Sequence, residues 1–93
     1  MGRRVHLQIE GRVQGVFFRD SARRAAREQR LTGWVRNRFD GAVEIVVEGE
    51  EAAIGAFLDW CRRGPPQARV DGVEVADEPP RGDFAEFDIL PTA

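Results

Sequence analysis

Gly11-Arg12-Val13-Gln14-Gly15-Val16-Phe17-Phe18-Arg19-Asp20 joins two segments of different hydrophobic period. Before it, Val5, Leu7 and Ile9 alternate with His6, Gln8 and Glu10, the period of a strand with one buried face. After it, from Asp20 to about Leu31, Ala22, Ala25, Ala26 and Gln29 fall on one stripe that ends at Leu31, the period of a helix. Asp20 or Ser21 is expected to cap that helix. Phe17 and Phe18 are expected to anchor the loop in the core, with Arg19 closing the loop just before the helix. A strand–loop–helix junction is a ready anion site, because the first helical N–H groups lack intrahelical partners and the helix dipole is positive there. Gly15 permits a turn that a Cβ would obstruct, so successive N–H groups can converge. Arg19 can add a planar fork of donors matched to phosphate oxygens. A plain connecting turn fits the same residues, and the loop alone does not decide between the two.

The order of the remaining segments decides the fold. Thr32-Gly33 is expected to break the helix. Trp34 to Phe39 reads as a second strand, with Val35, Asn37 and Phe39 on one face and Trp34, Arg36 and Arg38 on the other. Asp40-Gly41 is a hairpin signal. Val43, Ile45 and Val47 mark a third strand, whose Glu44 or Glu48 is expected to face Arg36 and Arg38 across the hairpin. Asn37 is a strand-disfavoured amide just ahead of the turn, fit either to shape the hairpin or to hold a polar ligand or a water. Ile54, Phe57, Leu58 and Cys61 then recur at helical spacing, and Arg62-Arg63-Gly64-Pro65 is a stop signal. Cys61 on that stripe reads as a small core residue, not a nucleophile. Val70, Val73 and Val75 suggest a fourth strand. Pro79-Pro80-Arg81-Gly82 reads as a turn, and Phe84 to Leu90 as a short fifth strand with Phe87 and Ile89 inward. The pattern predicts an α+β fold, a ferredoxin-like β-α-β-β-α-β sandwich: an antiparallel sheet with two helices on one face, plus a short C-terminal strand. Many functions share that architecture.

Composition narrows the class. The chain has 93 residues, 42% hydrophobic and 32% charged, which suits one globular domain over residues 1–93. A net charge of -2 argues against a general polyanion binder. All 14 basic residues are arginines, so lysine-based covalent chemistry is excluded. Arg23, Arg24, Arg27 and Arg30 read as a solvated helix face partly neutralised by Glu28. Cys61 is the only cysteine, which rules out an intrachain disulfide and fits a reducing compartment. No apolar run is long enough to span a membrane, and Gln8 and Glu10 interrupt any signal-peptide core, so a cytoplasmic protein is expected. His6 has no partner at metal-ligand spacing.

Gly11-Arg12-Val13-Gln14-Gly15-Val16-Phe17-Phe18-Arg19 resembles the phosphate-cradle motif of the acylphosphatase family. Gly33-Trp34-Val35-Arg36-Asn37, followed by Gly41-Ala42-Val43 and Gly49, resembles that family's second motif. The similarity covers essentially the whole chain, including Gly64-Pro65-Pro66. It implies hydrolysis of the carboxyl–phosphate bond of acyl phosphates without metal or organic cofactor, with inorganic phosphate as product. It also implies a cradle over Gln14, Gly15, Val16, Phe17, Phe18 and Arg19. The family's motif arginine binds phosphate and its motif asparagine orients the attacking water, roles that fall here on Arg19 and Asn37. The chain departs from the pattern at its end. Relatives often follow Phe-x-Ile with a basic residue and Tyr, whereas Leu90-Pro91-Thr92-Ala93 follows Phe87-Asp88-Ile89 here.

The residues suit that chemistry. An acyl phosphate has a good carboxylate leaving group, so catalysis reduces mainly to holding the phosphoryl group, neutralising its oxygens and placing water in line. Neither motif offers a histidine or carboxylate base, and a neutral amide cannot take the water's proton, so a substrate phosphate oxygen is expected to receive it. The expected form is a monomer acting on a small molecule, with no nucleic-acid or membrane partner. Two alternatives belong to other classes. One is an RNA-binding module, disfavoured by the charge and by the lack of an aromatic-rich RNA-binding strand. The other is a domain serving a larger carbamoyl-phosphate-processing protein.

Overall fold

The structure, a computed structural model, describes residues 2–93. The elements run β1 (Gly2–Arg12), α1 (Phe18–Glu28), β2 (Thr32–Asn37), β3 (Val43–Glu50), α2 (Glu51–Arg63), β4 (Arg69–Glu78) and β5 (Phe87–Ile89). The strands form one sheet in the order β4-β1-β3-β2-β5. The first four pair antiparallel, with Leu7 opposite Ile45 and Val35 opposite Ile45 from the other side. The short β5 joins β2 in parallel, so the complete sheet is mixed. The expected βαββαβ order and the added terminal strand are both present, and β5 is shorter than the span from Phe84 to Leu90.

One face of the sheet carries the core. Val5, Leu7 and Ile9 from β1, Val35 from β2 and Val43, Ile45 and Val47 from β3 are all fully buried. Phe18, Ala22 and Ala26 of α1 and Ile54, Phe57, Leu58 and Cys61 of α2 close over them. The small alanines let α1 lie close on the strands, and Phe18 packs on Trp60 with ring centroids 5.3 Å apart. Gln29, placed on the buried stripe by its spacing, is exposed, and it lies just past the helix as its C-cap residue.

Both ends of α1 differ from the sequence expectation. It starts two residues earlier, at Phe18, so Arg19 belongs to the first turn of the helix instead of ending the loop. Neither Asp20 nor Ser21 caps it. Phe17 is the N-cap residue, left-handed at φ 63°, and its carbonyl accepts from the Ser21 N–H at 3.1 Å. The helix ends before Thr32-Gly33, which belong to β2. Arg30 turns left-handed at φ 59°, and Leu31 N–H donates back to Ala26 O at 2.9 Å, closing the helix with an arginine where glycine is usual.

The other face of the sheet is polar. Arg36 Nε donates to Glu44 at 2.7 Å and Arg38 to the same oxygen at 3.2 Å, as the hairpin pairing anticipates. His6 Nε2 lies 2.6 Å from the other Glu44 oxygen. Glu48 does not meet those arginines. It accepts from the Arg81 and Gly82 N–H groups at 3.1 and 2.7 Å and lies 3.5 Å from Arg4, which also binds Glu78 and Asp83. Glu48 and Arg4 thereby strap residues 79–86 to the sheet on the way from β4, at one edge, to β5, at the other.

Candidate active site

The cradle begins where β1 runs off the sheet. Gly15 at φ 74° and Phe17 at φ 63° place two left-handed residues within three positions. Such turns gather successive N–H groups on one side of the chain. From Gln14 to Asp20, no main-chain N–H donates to another group among the described residues, and Ser21 is the first that does. Buried or converging amides without acceptors are uncommon in folded chains, so an unpartnered run at a helix N-terminus is well arranged for an anion.

The side chains of the loop have other tasks. Val16 and Phe18 are buried at 2% exposure and hold the loop in the core. Phe17, expected to share that role, points outward instead, because its left-handed backbone turns its side chain away from the interior. Gln14 donates through Nε2 to the carbonyls of Arg38 and Ala42, at 2.7 and 2.8 Å. That side chain is therefore spent on tying the loop to the β2–β3 hairpin, and only its main chain is left for a ligand. Spacing alone could not reveal this bond, since its acceptors are carbonyls 24 and 28 residues away.

The hairpin delivers the second half of the site. Asn37 is the last residue of β2. The turn after it is closed by Arg38 N–H to Ala42 O at 2.8 Å, and Asp40 accepts from the Ala42 N–H at 3.0 Å. Phe39 lies beyond the strand with its side chain 85% exposed, contrary to the inward placement that alternation from Val35 suggests. On the other side of β2, Leu90 N–H donates to Val35 O, Ala93 N–H to Asn37 O, and Phe39 N–H to Ala93 O. The atypical last residues thus extend the β5 pairing past Asn37 through their backbone. Asn37 Oδ1 is buried and has no hydrogen-bond partner among the described residues.

These parts meet in a cleft of about 400 Å³, lined by Gly15, Phe17, Phe18 and Arg19 from the loop side and by Asn37 and Ile89 from the strand ends. Arg19 is half-buried. Arg3, Arg4, Arg23, Arg27, Arg36, Arg38, Arg62 and Arg69 pair with carboxylates, but no such pair engages Arg19. Asp20, on the same rim, is paired with Arg23 at 3.1 Å. Sequence reading missed Ile89 as a wall of this cleft, since the pairing of β5 with β2 carries no local signal. Among the described residues, no group of three or more His, Cys, Asp or Glu side chains could hold a metal ion. Cys61 is buried far from solvent, and burial pushes its thiol well above the usual range, so it is no nucleophile.

The acylphosphatase family model matches residues 5–89, which takes in the loop, the hairpin and both helices. The chain belongs to the acylphosphatase family. An acylphosphatase of Methylococcus capsulatus is 54% identical over 88 residues, 95% of this chain and 96% of the relative. The fold also matches an acylphosphatase structure from Coxiella burnetii with a TM-score of 0.91 at 40% identity, covering 96% and 93% of the two chains. A third match is to full-length HypF in its phosphate- and nucleotide-bound form, with a TM-score of 0.89 and 30% identity. There the similarity spans 99% of this chain but 12% of that one. No helix among the described residues is long and apolar enough to cross a membrane.

Proposed function

We propose that this acylphosphatase-family chain hydrolyses the carboxyl–phosphate bond of acyl phosphates in the cleft between the Gln14–Arg19 loop and Asn37. The observation that supports the reading is that one cleft is lined by residues of a loop whose N–H groups have no partner, by an arginine free of carboxylates and by Asn37, whose buried amide oxygen has no partner among the described residues. The main-chain N–H groups of Gln14, Gly15, Val16, Phe17, Phe18 and Arg19 hold the phosphoryl oxygens. The Arg19 guanidinium supplies two further donors and the balancing charge. Asn37 Oδ1 accepts a hydrogen bond from a water and orients its lone pair towards phosphorus.

The water oxygen bonds to phosphorus as the bridging phosphorus–oxygen bond breaks. The carboxylate leaves with the bonding pair, and the water's proton passes to a phosphate oxygen. The loop and guanidinium act most strongly as charge spreads over the equatorial oxygens, which is where preorganised donors lower a barrier.

A phosphate-release assay in the presence of chelator tests the reading. Acetyl phosphate is expected to be hydrolysed and an ordinary phosphomonoester to be left intact. Equal turnover of both, or none of acetyl phosphate, overturns it. The match within full-length HypF favours a second reading, a domain working inside a larger protein. A clear preference for carbamoyl phosphate over acetyl phosphate would select that one.

A further inference from the structure

The loop and Asn37 come from strands that are not neighbours. The loop leaves β1, Asn37 ends β2, and β3 lies between them in the sheet. Adjacent strands lie about 4.8 Å apart, so roughly 10 Å of sheet separates the two segments where they leave it. The β1–β3 ladder ends at Ile9 opposite Val43, before the loop begins. Among the described residues, the hydrogen bonds that join loop to hairpin are those of Gln14 Nε2, to Arg38 O at 2.7 Å and Ala42 O at 2.8 Å. These two carbonyls stand at the ends of the turn that Arg38 N–H and Ala42 O close. Only the NH2 end of the carboxamide can face two carbonyls, so both of its N–H groups are engaged. Asn37 adjoins Arg38, and its buried Oδ1 is fixed by no hydrogen bond among the described residues. The direction of that oxygen therefore depends on where the hairpin is held.

We infer that the Gln14 side chain is a positioning residue for the hydrolysis, and that it acts through Asn37, not through the phosphate. By holding the turn against the loop, it sets the distance between the water on Asn37 and the phosphoryl group in the cradle. The inference rests on the roles proposed for Arg19 and Asn37. The main-chain N–H of Gln14 remains available to the phosphate whatever the side chain is, so the two tasks of this one residue are separable. In-line attack tolerates little misplacement, and about 1 Å can cost on the order of 10²-fold in rate. Pairing of β2 with β3, and of Asn37 O with Ala93 N–H, limits the shift here, so a smaller loss is expected.

The test places Gln14→Met in the wild-type, Asn37→Ala and Arg19→Lys backgrounds. Methionine keeps the length of the side chain, adds no charge and removes both donors. In the wild-type background kcat for acetyl phosphate is expected to fall about tenfold, while competitive inhibition by inorganic phosphate stays within about twofold. In Asn37→Ala the same change should lower kcat no further, because the group it positions is gone; in Arg19→Lys it should lower kcat about tenfold again. A side chain that only supports the fold would lower kcat alike in all three. Gln14→Ala is the second variant, and the rise in melting temperature with phosphate reports on the cradle in each protein. Unchanged kcat in both Gln14 variants, a loss of phosphate inhibition or of the phosphate-dependent rise in both, or an equal fall in the Asn37→Ala background overturns the positioning role while acyl phosphate hydrolysis stands. Normal kcat in Asn37→Ala alone overturns the role proposed for Asn37, and that of Gln14 with it.

Discussion

In the proposed mechanism Arg19 and Asn37 serve the transition state in different ways, and substitutions can separate them. A lysine at position 19 keeps the positive charge but loses the fork that reaches two oxygens at once. Arg19→Lys is expected to lower kcat/KM about 10²-fold, a loss of about 2.7 kcal/mol. Thermal unfolding should stay near the wild-type value, because the half-buried guanidinium holds no carboxylate whose pairing would be lost. Near-native turnover in a folded Arg19→Lys protein would mean that charge alone suffices. Asn37 Oδ1 contributes nothing to holding phosphate if it serves water. Asn37→Ala should therefore reduce kcat by far more than it weakens competitive inhibition by inorganic phosphate. Parallel losses in both would return Asn37 to shaping the hairpin. Both positions were legible in the sequence through the two motifs that contain them. The outward turn of Phe17 was not, since the residue type argues for burial and only the left-handed backbone reverses it.

Elements set the distance between those residues. Gly33, in β2, sits where β2 passes β3 so closely that an added Cβ would lie 2.0 Å from Val46 O, at a φ of +140°. Gly33→Ala is expected to cost about 3 kcal/mol, from overpacking against backbone together with conformational strain. A urea midpoint measured beside the wild type checks this, and an unshifted midpoint would mean that the two strands part without penalty. The hydrophobic periods made β1, β2, β3 and both helices readable, because each buries one face in a single core, whereas β4 only rests Val70 and Val73 against it. What they could not convey is how the elements are tied together. Glu48 looks like a cross-hairpin partner for Arg36 and Arg38, yet it is held by Arg4 and two N–H groups of the strap over 79–86. Gln14 reads as a cradle residue through its main-chain amide, and nothing in the sequence signals that its side chain joins the loop to the hairpin. In both cases the partners lie more than 20 residues away, where neither period nor propensity has a signal.

Across the whole molecule, one carboxylate links folding to acidity. Burial alone would push the Glu44 carboxyl up, but hydrogen bonds from His6 and Arg36, and their charges, outweigh it and hold the carboxyl below its ordinary value of 4.5. A folded value below the unfolded one gives stability that is complete above about 4.5. That stability fades as the pH falls from there towards the lowered folded value, because the unfolded chain binds the proton first. Melting temperatures recorded across that window should fall less steeply for Glu44→Gln than for the wild type; identical slopes would remove Glu44 from the account. The large hydrophobic side chains exposed among the described residues are Phe17 in the β1–α1 loop, Phe39 in the β2–β3 turn and Val75 on β4, far fewer than the roughly 20–30 residues a side that a stable dimer interface engages. Light scattering is expected to give a monomer of 10.4 kDa, and a mass of twice that would overturn this expectation. The sheet order carries one more consequence, for the growing polypeptide. β1 is made first but lies inside the sheet, between β3 and β4. It cannot complete its pairing until Arg69–Glu78 have left the ribosome, a delay that comes with strands joined across long stretches of chain. A nascent chain stalled before Arg69 would carry every residue of the proposed cradle and of the Asn37 hairpin, yet β1, which leads into that loop, would still lack its partner on one side.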